Sequence, residues 1–167
     1  MTKNSVALVL VFLVILTACQ QERQPCLEPK LQSLIMGAYH AGDTNGVVTI
    51  TSISLGSPYI GPVNSNSQSP IYNGVLSTGH SFSLFLSSVS DSCRYYIQRD
   101  TVSAMDTLSF FYQSQLHFLS NACGYTYFYT LQSLSSTHHN IDSVILENNS
   151  ITTNVNVEHI KVYFMEL

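Results

Sequence analysis

The sequence predicts an all-β domain built from two packed antiparallel sheets. From Leu31 onward, turn residues recur about every eight to twelve positions, and the runs between them are β-branched or aromatic. No apolar pattern with a 3.6-residue period lasts three turns, so no helix is expected. Strands without helices bury their apolar faces against one another. The expected architecture is an immunoglobulin-like sandwich of about eight strands, with an up-and-down barrel as the alternative.

The strands follow in order. "KLQSLIMGAYH" (30–40) opens the domain, and "GVVTITSISL" (46–55) follows the turn "AGDTNG". "GSPYIGPVNSNSQSP" (56–70) is punctuated throughout by Gly, Pro, Asn and Ser and reads as a long loop. "IYNGVL" (71–76) is a short, weak strand. "HSFSLFLSS" (80–88) alternates, with Phe82, Leu84 and Leu86 on one face, and "CRYYIQRD" (93–100) follows. The strongest pair is "DTLSFFYQSQLHFL" (106–119) with "CGYTYFYTLQSL" (123–134). The first sets Leu108, Phe110, Tyr112, Leu116 and Phe118 on one face, and the second sets Tyr125, Tyr127, Tyr129 and Leu131. "SNA" between them has hairpin length. "IDSVILE" (141–147) and "VEHIKVYFMEL" (157–167) close the chain, with Ile160, Val162 and Phe164 alternating against Glu158 and Lys161.

The first eighteen residues read as an export signal, not as part of the fold. Lys3 precedes the uncharged run "VALVLVFLVIL" (6–16), which is shorter than the roughly 20 residues a membrane-spanning helix needs. The run ends in "LTAC" (16–19), with Leu at −3, Ala at −1 and Cys19 at +1, the spacing of a bacterial lipoprotein box. Cys19 is therefore the expected lipidation site. Two or three acyl chains, at about 0.8 kcal/mol per buried methylene, make such an anchor effectively permanent. Residues 1–18 are then a lipoprotein signal peptide, 19–29 a lipid-anchored tether and 30–167 the β-sandwich domain.

Cleavage before Cys19 removes 18 of 167 residues, leaves 149, and shifts the net charge from −4 to −5 through loss of Lys3. That is one ordinary domain. An acidic chain without a basic stripe argues against nucleic acid. An export signal places the cysteines where disulfides persist. With Cys19 on lipid, Cys26, Cys93 and Cys123 leave three possible single bridges, and their spacing suits no metal site. Cys26–Cys123 is favoured, because Cys26 precedes the first strand and Gly124 beside Cys123 allows close approach. Cys93–Cys123 with a free Cys26 is the alternative.

A lipobox, a Cys a few residues on, "PKL", "DTLSFFY", "ACGYTYFYTL", "IDSVIL" and "HIKVYF" together resemble a family of small outer-membrane lipoproteins of the Bacteroidota, known only as a domain of unknown function. The resemblance runs from Cys26 to Phe164. It implies that Cys26 and the Cys123-Gly124 pair are family features, that Cys93 stays unpaired, and that a neighbouring outer-membrane β-barrel protein is a partner.

No G-x-S-x-G, H-E-x-x-H or phosphate-binding glycine loop occurs, and the expectation is a non-enzyme without cofactor or metal. His138-His139 is a metal candidate outweighed by a surface-loop reading, and His40, His80, His117 and His159 are scattered singly. Tyr125, Tyr127 and Tyr129 form a stripe that suits a partner or stacked sugars, or else a half-buried sheet face. "DTV", "DTL" and "DSV" resemble the O-glycosylation triplet of exported Bacteroidota proteins and make Thr101, Thr107 and Ser143 candidate sites, outweighed by the reading that Asp-Ser/Thr simply starts a strand. Neither an Asp nor an acidic run follows Cys19, which points to an outer-membrane lipoprotein facing the periplasm. The expected role is an accessory or docking subunit for an envelope partner such as a β-barrel, with a glycan- or peptidoglycan-binding module as the alternative.

Overall fold

The computed structural model describes residues 25–55, 58–63, 72–73, 80–154 and 156–165. Residues 1–18, expected to be a signal peptide, and Cys19 lie outside the described residues, as does most of the 56–79 stretch. The described residues form eleven strands in two sheets and no helix. Eight strands have five residues or more: β1 (Ser33–Thr44), β2 (Val47–Ser52), β5 (Ser81–Phe85), β6 (Ser92–Gln98), β7 (Asp106–Ser120), β8 (Gly124–Ser136), β9 (Ile141–Leu146) and β11 (Ile160–Phe164). The other three are short: β3 (Tyr59–Pro62), β4 (Tyr72–Asn73) and β10 (Ser150–Ile151). The all-β, two-sheet class is the one the sequence predicts.

Sheet one runs β2-β1-β11-β9, and β5 also pairs with β1. β1 is long enough for two partners along one edge. Ser33–Gly37 pairs with β5, and Tyr39–Thr44 pairs with β2. Its other edge takes β11 in parallel, with Met36 opposite Ile160 and His40 opposite Phe164. This is a departure from the all-antiparallel expectation. A parallel pair needs a long crossover, and here the crossover is most of the domain. Sheet two runs β10-β8-β7-β6-β3-β4, antiparallel throughout.

Alternation decides which residues meet between the sheets. Leu34, Met36 and Ala38 of β1, Phe82 and Leu84 of β5, and Ile160, Val162 and Phe164 of β11 are buried. From sheet two come Tyr95, Ile97, Leu108, Phe110, Tyr112, Tyr129 and Leu131. Truncating a ring such as Phe110 to Ala would cost about 3–5 kcal/mol. The register shifts between Phe111 and Tyr112, so that Tyr112 faces Leu131 while Phe110 faces Leu134. The extra β8 residue keeps Leu131 and Leu134 both on the core side despite their odd spacing.

Three core tyrosines tie the sheets together. Tyr95 of β6 donates to the Phe85 carbonyl at 2.5 Å, and Tyr129 of β8 to the Leu86 carbonyl at 3.2 Å. Between them, Tyr112 of β7 donates to the Ser87 carbonyl at 3.0 Å and accepts from its N–H at 2.9 Å. Three adjacent strands thus satisfy three consecutive residues at the end of β5. A buried hydroxyl without a partner is costly, so tyrosine is tolerated here because those backbone groups wait for it. Burial pushes the Tyr95 hydroxyl up to about 12 and that of Tyr112 well above its ordinary range, so both remain donors.

The turns carry the expected chemistry. Asn45 and Gly46 have φ of 59° and 80° between paired Thr44 and Val47, a two-residue hairpin of the Asn-Gly kind. Asp43 Oδ1 accepts the Gly46 N–H at 2.8 Å. Two further elements escape sequence reading. β3 lies within the stretch read as a loop, where Pro and Gly surround "YIGP". β10 is two residues long and carries no pattern.

Candidate functional site

Two surfaces stand out, at opposite ends of β1. The first is the distal end of the β7–β8 hairpin. Both strands extend past the core, because β7 is fifteen residues long and its burial stops near Tyr112. Beyond that point Leu116 lies opposite Tyr127, and Phe118 opposite Tyr125. Strict alternation puts all four on one face, and they are 55 %, 38 %, 48 % and 64 % exposed in that order. The Phe118 and Tyr125 rings meet edge-to-face at 5.2 Å, the favoured aromatic arrangement.

The opposite face of the hairpin is occupied. Thr126 is buried, and its hydroxyl donates to the Lys30 carbonyl at 2.6 Å. Gln32 reaches the same hydroxyl at 3.5 Å and the Pro29 carbonyl at 2.7 Å. His117, opposite Thr126, stacks on Phe128 at 4.2 Å. The segment leading into β1 therefore lies against this face. Cys26 and Cys123 complete the attachment with a disulfide, their Cα atoms 4.7 Å apart. Of the pairings open to the sequence, Cys26–Cys123 is the one formed. Gly124, with φ of 75°, makes the turn beside it. Cys93 is the free cysteine among the described residues, and burial raises its thiol to about 11.

Tyr129 leaves the predicted stripe. It shares a face with Tyr125 and Tyr127, but it lies where sheet one covers sheet two, and it is buried with its hydroxyl on Leu86. Leu116 and Phe118 take its place in the exposed group. Alternation announces which residues share a face; it carries no signal for where the covering sheet stops.

The second surface is β2. It forms an edge of sheet one and pairs with β1. All six residues are exposed, Val47, Val48 and Ile50 among them. An edge strand with both faces in solvent and no charge along it is a template for another strand.

The ionisable candidates are held by structure. The Asp106 carboxylate is fully buried and organises the loop after β8. Its Oδ1 accepts from Thr137 Oγ1 at 2.7 Å and the His139 N–H at 2.8 Å, and lies 3.1 Å from His139 Nδ1. Its Oδ2 accepts the N–H groups of Asn140 and Ile141 at 2.7 and 3.1 Å. Burial alone would raise its pKa, but these donors outweigh it and hold the carboxyl below its ordinary value. His138 Nδ1 lies 3.1 Å from the Ile141 carbonyl, so the His pair is built into this loop. Among the described residues no three His, Cys, Asp or Glu converge on a metal site.

On the outer face of sheet one, the Tyr39 hydroxyl lies 3.0 Å from both Glu158 carboxylate oxygens. Lys161 pairs with Glu147 at 3.1 Å and sits 5.7 Å from the Tyr39 ring centre. The Glu158 carboxylate covers Gly37, where an added Cβ would collide with its Oε2. Of the triplet hydroxyls, Thr101 is exposed, whereas Thr107 and Ser143 are half-buried. In "DTL" the Asp is the loop organiser, which accounts for that triplet structurally.

A family model matches residues 49–164, from within β2 to the last residue of β11. The chain belongs to the family of unknown function DUF6452. The DUF6452 match takes in β7, β8 and Cys123, while Cys26 and β1 precede it. No curated protein and no solved structure matches the chain.

Proposed function

We propose that this DUF6452 protein is a non-enzymatic lipoprotein of the outer membrane. It is held by acyl chains on Cys19, faces the periplasm, and docks an envelope partner such as a β-barrel protein. The observation that carries this reading is β2, an edge strand exposed on both faces, with Val47, Val48 and Ile50 along it. Proteins protect such edges with charge, proline or a covering element, unless another strand is to be added there. The engagement of the buried Asp106 and the exposed His138 in holding a loop supports a non-enzymatic role. The aromatic stripe that favoured glycan binding keeps only Tyr125 and Tyr127 in solvent, which weakens that alternative.

The test is capture of the native lipidated protein from its envelope in mild detergent. A stoichiometric partner is expected, and Val48→Lys with Ile50→Lys should abolish its capture without lowering the unfolding midpoint. Retention of the partner by the double variant would refute docking through β2. Protease added to whole cells should leave the protein intact, and rapid cleavage would overturn the periplasmic orientation.

A further inference from the structure

We infer that the open face of the β7–β8 hairpin end, made by Leu116, Phe118, Tyr125 and Tyr127, rests in the headgroup–acyl boundary of the bilayer; this rests on the reading of Cys19 as the lipid anchor. The first argument is the staple. Cys26 is bonded to Cys123 in the hairpin turn, and Cys19 lies seven residues before Cys26. Seven residues reach at most about 25 Å. Whatever holds Cys19 therefore lies within that distance of the hairpin turn, however the rest of the domain is oriented.

The second argument is charge. From Thr107 to Ile141 the chain has no Asp, Glu, Lys or Arg, so β7 beyond Asp106, the turn and all of β8 are free of formal charge. A charged side chain carried into the membrane boundary loses hydration, and the distal part of this hairpin carries none. The third is side-chain type. Tyrosine has an apolar body and a polar tip, the combination enriched where hydrocarbon meets headgroup. Tyr125 and Tyr127 flank the apolar Phe118 and Leu116 across the strand pair.

A shallow seat of this kind adds little to an acyl anchor, but it sets orientation. β1 begins at the hairpin end and its twelve residues run about 40 Å away from it. With the hairpin on the membrane, the exposed β2 edge is presented away from the lipid surface.

The chain has no Trp, so one introduced residue reports alone. Lipidated Tyr125→Trp and Phe118→Trp proteins are placed in phosphatidylethanolamine–phosphatidylglycerol vesicles, with Val48→Trp as the reference at the far end. The hairpin variants should show blue-shifted emission and several-fold stronger quenching by brominated acyl chains than Val48→Trp. Equal, weak quenching at all three positions in a protein whose mass shows the acyl chains would overturn this inference alone. A mature mass without acyl chains would overturn the anchor reading and this inference together. A benzophenone side chain at position 125, irradiated in cells, tests for a protein occupant. One discrete protein adduct in high yield would assign the face to that protein and overturn the lipid seat.

Discussion

His159 engages both backbone groups of Ile35. Its own N–H donates to the Ile35 carbonyl at 2.9 Å, and its Nδ1 accepts the Ile35 N–H at 3.1 Å. A side chain thereby continues the parallel β1–β11 ladder one residue beyond the Met36–Ile160 pair. The ring is buried, and its backbone carbonyl accepts from both Glu147 and Asn148.

This contact predicts a pH dependence. Burial lowers the His159 pKa, and a protonated Nδ1 could no longer accept the Ile35 N–H. An unfolded chain takes up that proton near pH 6.5, whereas the folded chain resists it to lower pH. The stability contributed by His159 is therefore complete above about pH 6.5 and falls as the pH drops below it. Urea midpoints should fall between about pH 7.5 and about pH 5.5. His159→Gln should be less stable at the higher pH and lose less between the two. A variant that titrates like the parent would assign the dependence to another histidine.

The disulfide predicts a large stability change. It closes a separation of 97 residues, for which the chain-entropy model gives about 4–5 kcal/mol and removal of native bridges typically costs about 2–5 kcal/mol. Cys26→Ser with Cys123→Ser should lower the unfolding free energy by that order. It should also free Thr126 and Gln32 to exchange amide hydrogens faster. An unchanged midpoint would mean that the contacts of Thr126 with Lys30 hold the segment without the bridge.

Asp106→Ala should destabilise by about 3 kcal/mol or more, since it leaves the buried N–H groups of Asn140 and Ile141 without their acceptor. Its lowered pKa also makes it a source of acid sensitivity. The contribution is complete above the ordinary carboxylate value near pH 4 and is lost as the pH falls below it. Denaturant titrations of Asp106→Asn should be flatter across that range than those of the parent.

Tyr112→Phe keeps the ring and removes the hydroxyl that both donates to and accepts from Ser87. The cost should be about 1–3 kcal/mol, the penalty for stranding a buried donor or acceptor. Tyr95→Phe and Tyr129→Phe each strand one carbonyl and should cost less. Thermal unfolding of the three variants ranks them, and a Tyr112 variant no worse than the others would show that water replaces the hydroxyl.

Local pattern made most of the frame readable. The alternation of Phe82, Leu84 and Leu86, and of Ile160, Val162 and Phe164, points to the residues that are buried. The Asn45-Gly46 turn follows from the conformations those two residues accept. What stayed hidden is non-local. Nothing in "KLQSLIMGAYH" indicates that its partner lies at the other end of the chain, or that the pairing is parallel. Leu116, Phe118, Tyr125 and Tyr127 have the same periodicity as Leu108 and Phe110, and only the extent of the opposing sheet distinguishes exposed from buried. Asp106 reads as the polar start of a strand, and its burial depends on amides about 35 residues away, from a loop with no motif of its own.

The parallel β1–β11 pair has a consequence in time. Ile35 and His159 are 124 residues apart, and synthesis delivers them in that order. β6, β7 and β8 can zip together as soon as Ser136 has emerged, because each pairs with its neighbour in sequence. Sheet one must wait for Ile160–Phe164, since β11 is the strand that joins β1 to β9. Until then Met36 and Ala38 of β1 lack the strand that pairs with them on that edge. Such late closure slows folding and leaves apolar edges open to wrong partners. A stop codon before Ile160 would leave β1 without the strand that joins it to β9, and sheet one in two pieces.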